Sequence, residues 1–468
     1  MDIRKLITID DVVNYLKEDQ VNYIKIGITD IDGVIRGKYM HVNKFLKSIE
    51  SGGFGFCDVI FGWDSSDNLY GFSNSKTNKQ FTGWHTGYPD TKVRILLDTA
   101  RQIPFEKNIP FFLSELEGGV VCPRNVLKKV LQKLKKMGLK ANSALEYEFF
   151  LFEETPRSIR DKNFKNLNNF TPGMFGYSIL RSSVHAEFYQ EILSMCSEMD
   201  MQLEGLHTET GPGVLEAAIS VDEALKAADK ATLFKTFIKV LAQRKDLVAN
   251  FMAKWSADYP GQSGHIHCSL VHENGESAFK NFGQDRTDLM LYFLGGLQKY
   301  MREFCVLLAP TINSYKRLCP GAWAPINTTW GTENRTVAFR VIDGKPDAQR
   351  IENRLGGADA NPYLAMAATL GAGLLGIEQK ILPTEETIGG AYSKKVPNKM
   401  AVPYSLNEAT KLFKKSKSAR NVFGNNFVDH FSSTREWEYN QYLKGNKGLK
   451  SYGQKISDWE LNRYFEII

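Results

Sequence analysis

Apolar and polar positions follow two rhythms along this chain. The first is helical. Val126, Leu127, Val130, Leu131, Leu134 and Met137 recur at three- and four-residue spacing and form one stripe of a helix. Pro123 suits its first turn and Gly138 its end. Similar spacing predicts helices over 10–16, 182–199, 221–245, 287–308 and 359–377. Ser405 and Glu408 fit a capping box that opens another. The second rhythm has a period of two. Residues 21–29 alternate in part, and Asp32-Gly33 then makes a turn. Further strands are predicted near 93–97, 144–152, 203–209, 214–220, 264–271 and 335–342. Residues 155–174 and 384–404 are polar and predict surface loops, and no internal repeat is visible.

The order of these elements predicts a small α+β unit over 1–110. A larger domain of antiparallel-type strands and long helices follows over 111–468. The regular βαβ alternation of a doubly wound sheet is missing, so the fold class is α+β.

Composition narrows the classes of function. With 468 residues, 43% apolar and 24% charged, the chain can bury a large core. That excludes global disorder and fibrous repeats. A net charge of +6 over this length is too weak to argue for nucleic acid. Cysteines at 57, 122, 196, 268, 305 and 319 form no C-x-x-C pair, which predicts reduced thiols of a cytosolic protein. The first residues have no signal-peptide core. The most membrane-like run, 364–377, is only 14 residues and suits a buried helix. A cytoplasmic protein with no membrane partner is expected.

Candidate chemistry lies in four clusters. Glu146 and Glu148 share a strand face, and two such carboxylates repel on a buried face unless a cation or proton neutralises them. An isolated E-x-E also suits a solvated face. Glu204, Glu209 and Glu216 flank a Gly-Pro-Gly turn, which could fold the last two toward one point or make a plain hairpin with surface acids. His265 and His267 share a strand face, as metal ligands or as core histidines do. Arg317, Arg335, Arg340, Arg350 and Arg354 fall within 38 residues, and Arg350, Glu352 and Arg354 share a strand face. They line a cleft or form a basic surface. Oxygen-rich ligand sets with a histidine suit Mg²⁺ or Mn²⁺. Arginines facing metals suit phosphoryl transfer. No phosphate-binding loop is present, because G-V-I-R-G-K at 33–38 is one residue too short.

Six ordered motifs now carry a resemblance. E-Y-E-F-F, E-T-G-P-G-V-L-E, S-G-H-I-H, N-S-Y-K-R-L-C-P-G, E-N-R-T-V-A-F-R and R-I-E-N-R followed by D-A-N-P-Y-L-A resemble the glutamine synthetase superfamily over nearly the whole chain. The resemblance implies a β-grasp N-terminal domain, a glutamine-synthetase-type catalytic domain and a homo-oligomer of stacked hexameric rings. It implies that ATP and glutamate form γ-glutamyl phosphate, which an amine or ammonium attacks. It implies two or more Mg²⁺ or Mn²⁺ ions, one on Glu148, Glu209 and Glu216, another on Glu146, His265 and Glu352. Glu204, His267, Ser269, Arg340 and Arg350 fall at ATP contacts. Gly261, Arg317 and Arg354 fall at glutamate contacts, and Arg335 at the phosphate in transfer. The sequence departs from the family at the P-G-Y-E-A-P flap, which reads Pro320-Gly321-Ala322-Trp323-Ala324-Pro325. Trp323 cannot replace a carboxylate as base or cation ligand. The family's ammonium-binding Asp-Gly-Ser-Ser is also missing, and the nearest acids are Asp64 and Asp67. The W-A-P flap is similar to that of γ-glutamyl-amine ligases, whose acceptors are organic amines, and Trp323 and Asp64 are the candidate acceptor pocket. An ammonium-using synthetase and a non-catalytic ring-forming member are the alternatives.

Overall fold

A computed structural model describes residues 2–71, 81–107, 109–279, 286–446 and 455–468. Two sheets organise the chain. The first contains β1 (Tyr23–Thr29), β2 (Ile35–His41), β3 (Phe54–Cys57), β4 (Asp90–Ile95), β5 (Arg101–Gln102) and β6 (Pro110–Leu116). Its order is β2-β1-β6-β4-β3, with β5 beside β6, and β1 and β6 run parallel at its centre. The expected domain boundary at 110 falls at the start of β6. The first sheet therefore extends six residues further, to Leu116. Every residue of β6 is buried, so it has no alternation to mark it as a strand of this sheet.

The expected turn joins β1 and β2. The Asp30 carboxylate accepts from the backbone N–H groups of Asp32 and Val34 at 3.0 and 2.9 Å. Gly33 takes φ +89°, which glycine adopts without strain. The turn docks on the C-terminal part of the chain, where Arg435 donates to Asp32 at 2.6 Å and Asn361 donates to the Asp30 carbonyl at 3.1 Å.

The second sheet contains β7 (Leu139–Phe152), β8 (Leu203–Thr208), β9 (Val214–Ile219), β10 (Asp222–Glu223), β11 (Val248–Asn250), β12 (Gly264–His272), β13 (Trp330–Thr332), β14 (Phe339–Ile342) and β15 (Arg350–Asn353). Its order is β13-β14-β15-β12-β7-β9-β8. Only β13 and β14 pair in parallel among its described strands. The fold is α+β. The central strand β7 starts five residues before the expected 144. From Leu139 to Phe149 it alternates strictly between buried and more accessible positions. Leu145, Tyr147 and Phe149 point into the core, which leaves Glu146 and Glu148 on the other face.

Helices Pro123–Lys136, Ala224–Gln243, Asp288–Phe304 and Pro362–Glu378 support the core. The last is buried almost all round, as its apolar run requires. It meets Asp288–Phe304 at glycines: a Cβ on Gly296 would lie 2.3 Å from the Ala372 carbonyl. No helix among the described residues is long and apolar enough to cross a membrane.

Three elements differ from expectation. The helix over 182–199 is two helices, Ile179–Val184 and Ala186–Glu198, broken at His185. The polar stretch 155–174 includes the helix Pro156–Asp161, opened by a Thr155–Ser158 capping box. The strand over 335–342 begins only at Phe339, because the Asn334 carboxamide turns the chain by accepting from Thr336 N at 2.9 Å. Arg335 therefore stands on a turn. At Ser405 only half of the predicted box forms. Its hydroxyl accepts from Glu408 N at 3.2 Å, but the Glu408 carboxylate reaches Tyr404 N and Arg302 instead.

Candidate active site

Strand register assembles the site. On β7, Glu146 pairs with His265 of β12 and Ala218 of β9, and Glu148 pairs with Glu216. Glu352 of β15 lies opposite His267 on one side and Arg340 on the other. His207 of β8 lies opposite Glu216. One sheet face thus presents Arg340, Glu352, the histidines, Glu146, Glu148, Glu216 and His207 in sequence.

This face floors a cleft of about 560 Å³. Glu146, Glu148, Glu209, Glu216, His265 and Glu352 line it together with Gly261, Arg317, Arg335, Arg340 and Arg354. Tyr177, Ala322 and Trp323 line it too. A second hollow of about 290 Å³ is lined by Glu204, His267, Ser269 and Arg350. Glu146 borders both. The residues expected at ATP contacts therefore share the second hollow, except Arg340, which lines the first.

Burial and mutual repulsion set the electrostatics. Burial pushes Glu216 up to about 9, helped by the charges of Glu148, Glu146 and Glu209. Burial also raises Glu148, against a 2.7 Å hydrogen bond from Ser263 N and the charge of Arg317. Burial opposes ionisation of Glu146 as well, but hydrogen bonds from His265 and His267 outweigh it and hold that carboxyl low. Burial and Arg354 bring His265 down to about 4, so its ring is neutral at pH 7.

The two histidines differ. Arg350 Nε donates to His267 Nδ1 at 3.1 Å. The other ring nitrogen of His267, Nε2, lies 3.1 Å from Glu146. His265 Nδ1 lies 3.2 Å from Glu352 and 3.5 Å from Glu146, while its buried Nε2 has no partner. Ligand atoms of Glu146, His267 and Glu352 lie within 4.8 Å of one another, as do those of His207, Glu209 and Glu216. Crowded carboxylates with neutral imidazoles are a donor set that a hard divalent cation fits. The expected sets name His265 in the first group and Glu148 in the second. The clustered ligand atoms include His267 in place of His265 in the first group and His207 in place of Glu148 in the second.

The arginines surround these acids. Arg317 is buried and donates to the carbonyls of Leu355 and Arg354 at 3.1 and 3.2 Å. Gly261 packs over it: a Cβ there would lie 2.6 Å from Arg317 Cγ. Arg354 donates to Glu352. Arg335 is exposed on its turn at the cleft wall. Trp323 is 58% exposed and takes φ +58°, a backbone conformation costly for a bulky residue.

Asp64 corrects the sequence reading. It lies outside the cleft and is 2% exposed. Its carboxylate accepts from Trp437 Nε1 at 2.9 Å and pairs with Arg463 at 2.8 Å. It also accepts from the backbone of Ser66 and Asn68 at 2.9 and 3.0 Å. These bonds consume its acceptor capacity within its own chain and leave none for an amine. Sequence reasoning also missed His207 and Tyr177, whose rings stack at 4.4 Å between centroids. The two-residue spacing of His207 and Glu209 could have found the first. Tyr177 sits in a segment with no periodicity and gives no such signal.

Comparison with known proteins identifies the family. The glutamine synthetase catalytic-domain family model matches residues 120–464. A type-1 glutamine synthetase 2 of Dictyostelium discoideum is 42% identical over 99% of this chain and 88% of that protein. A glutamate–isopropylamine ligase of a Pseudomonas species is 36% identical over 98% of both chains. A γ-glutamylethanolamide synthetase of Streptomyces coelicolor is 32% identical over 95% of this chain and 93% of that one. A solved GmaS–ADP complex superposes with a TM-score of 0.78 at 25% identity, covering 96% of this chain and 98% of that one. Members of this family form C–N bonds from glutamate and ammonia or an amine, with ATP and divalent metals. With the catalytic-domain match spanning most of its length, this chain belongs to the glutamine synthetase family of ligases.

Proposed function

We propose that this chain joins the γ-carboxylate of glutamate to an organic amine through γ-glutamyl phosphate. The observation that carries this reading is Trp323, which presents an indole at the cleft rim where an ammonium-using enzyme needs a carboxylate. An indole offers an apolar wall and a cation–π face to an alkylammonium. Relatives named as isopropylamine and ethanolamide ligases, matched over nearly the whole chain, support it.

In this reading Gly261, Arg317 and Arg354 hold glutamate in the larger cleft. Glu204, His267, Ser269 and Arg350 hold ATP in the adjoining hollow. A γ-carboxylate oxygen attacks the terminal phosphorus, and the bond to ADP breaks. Arg335 neutralises the phosphoryl oxygens during transfer. The amine nitrogen then attacks the γ-carbonyl carbon, phosphate leaves, and the nitrogen loses a proton. Glu148, Glu209 and Glu216, with Glu146, His265 and Glu352, would hold Mg²⁺ or Mn²⁺. Bound cations supply charge neutralisation between anionic oxygens that otherwise repel. The arginines keep the reacting groups in line. Assembly into homo-oligomeric rings belongs to the same proposal.

The second reading is an ammonium-using glutamine synthetase, favoured by the 42% identical relative of that name. Steady-state kinetics with glutamate, ATP and a panel of primary amines plus ammonium decides between them. We expect kcat/KM for some amine to exceed that for ammonium by at least about tenfold, or about 1.4 kcal/mol. Trp323→Glu should narrow the gap by raising ammonium use. A wild type that prefers ammonium over every amine refutes the first reading.

A further inference from the structure

Glu352 is 1% exposed and crowded with donors. Its oxygens meet Arg340 Nη1 at 3.1 Å, His265 Nδ1 at 3.2 Å, and Arg354 Nη1. Two guanidinium groups therefore satisfy this carboxylate. Arg354 is 5% exposed and buried beside it. Arg340 stands between two acids. Its Nε donates to Glu333 Oε2 at 3.1 Å, and its Nη2 donates to the same oxygen. The Glu333 side chain is 50% exposed at the rim, just after β13. Its backbone takes φ +50°, and its N–H donates to the Val341 carbonyl at 3.0 Å. A β14 neighbour thus fixes where its carboxylate starts from, although that backbone conformation favours Gly or Asn.

We propose that Glu333 is a positioning residue that takes up Arg340 when a divalent cation takes Glu352. This rests on reading Glu352 as a metal ligand. A cation and a guanidinium on one carboxylate oxygen repel strongly. Glu352 must then release Arg340 Nη1. With Glu333 present, Arg340 keeps an anionic partner through two N–H groups and stays at the cleft wall. Without it, Arg340 has only Glu352 as an anion and competes harder with the cation.

The test is Mn²⁺ binding to the full-length chain without nucleotide, read from the EPR signal of free Mn²⁺. Glu333→Gln should weaken binding by about two- to fivefold, the range of a part-exposed ion pair. Glu333→Asp should restore part of it. In an Arg340→Gln background, which removes the competitor, Glu333→Gln should have no further effect. Simple loss of negative charge would instead weaken binding equally in both backgrounds, and that result overturns the proposal. Wild-type affinity in Glu333→Gln overturns it too. Glu352→Ala separates the two levels. If it binds Mn²⁺ like the wild type, the reading of Glu352 as a ligand fails, and the exchange with it. If it loses binding while Glu333→Gln does not, only the exchange fails.

Discussion

Replacing Glu216 by Gln should stabilise the metal-free protein. Ligand atoms of Glu216, Glu209 and His207 lie within 4.8 Å of one another. If both carboxyls were ionised at that separation they would repel by about 3.5 kcal/mol at an effective dielectric of about 20, the cost that protonating Glu216 avoids in the folded chain. Glu209 is partly exposed, so water screens the pair, and roughly 1–2 kcal/mol is a fair expectation. That corresponds to about 1–4 °C in Tm for a chain of this size. The sign follows from the proton. Glu216 is raised to about 9 in the folded chain and titrates near 4.5 when unfolded. Between these values the folded state holds a proton that the unfolded state has lost, so stability falls as pH rises through that window. Calorimetry in chelator from pH 6 to 9 should show a wild-type Tm that declines more steeply than that of Glu216→Gln. Added Mn²⁺ should raise the wild type more than the variant, because the cation removes the same repulsion and loses a ligand in the variant. A variant less stable than the wild type in chelator at pH 8 refutes the reasoning, as does an equal gain from Mn²⁺.

Three further outcomes are expected. Glu148→Ala and His265→Ala should each abolish ATP turnover, with circular dichroism unchanged; near wild-type Mg²⁺-dependent phosphate release in either removes it from the metal-binding set. Asp64→Ala should destabilise the chain by about 1–3 kcal/mol in chemical denaturation, because it leaves the Trp437 indole N–H without its acceptor while Arg463 keeps Glu438; the purified folded variant should keep its preference among amines, and a changed preference would return Asp64 to the acceptor site. Full-length protein should sediment far above its 52.9 kDa chain mass, and a catalytically competent monomer contradicts the ring proposal.

Local pattern made the site legible where one strand carries it. Glu146 and Glu148 share a face because β7 alternates, and Glu352 shares one with Arg350 on β15. The six residues that the ordered motifs single out all line one cleft. Local pattern failed where a distant residue decides. Asp64 looks like a loop acid until Arg463 and Trp437, about four hundred positions later, close over it. The first sheet runs past 110 because β6 is claimed by β1 on one side and by β4 and β5 on the other, a choice invisible in a uniformly buried strand. Arg340 and Glu333 are seven positions apart and meet only because β13 and β14 lie side by side.

The central position of β7 also limits how this protein can change. A strand has a period of two, so inserting one residue before Glu146 would turn both acids into the core and bring Leu145 and Tyr147 out to the cleft. An insertion of two would restore the faces but shift each acid by about 6.8 Å past its partners on β9 and β12. Length variation is therefore closed to the floor of the site and open to its rim, where Tyr177 and Trp323 sit outside the ladder. If the proposed reaction holds, new acceptors can arise by editing those loops residue by residue, while the carboxylate floor stays intact or is lost outright.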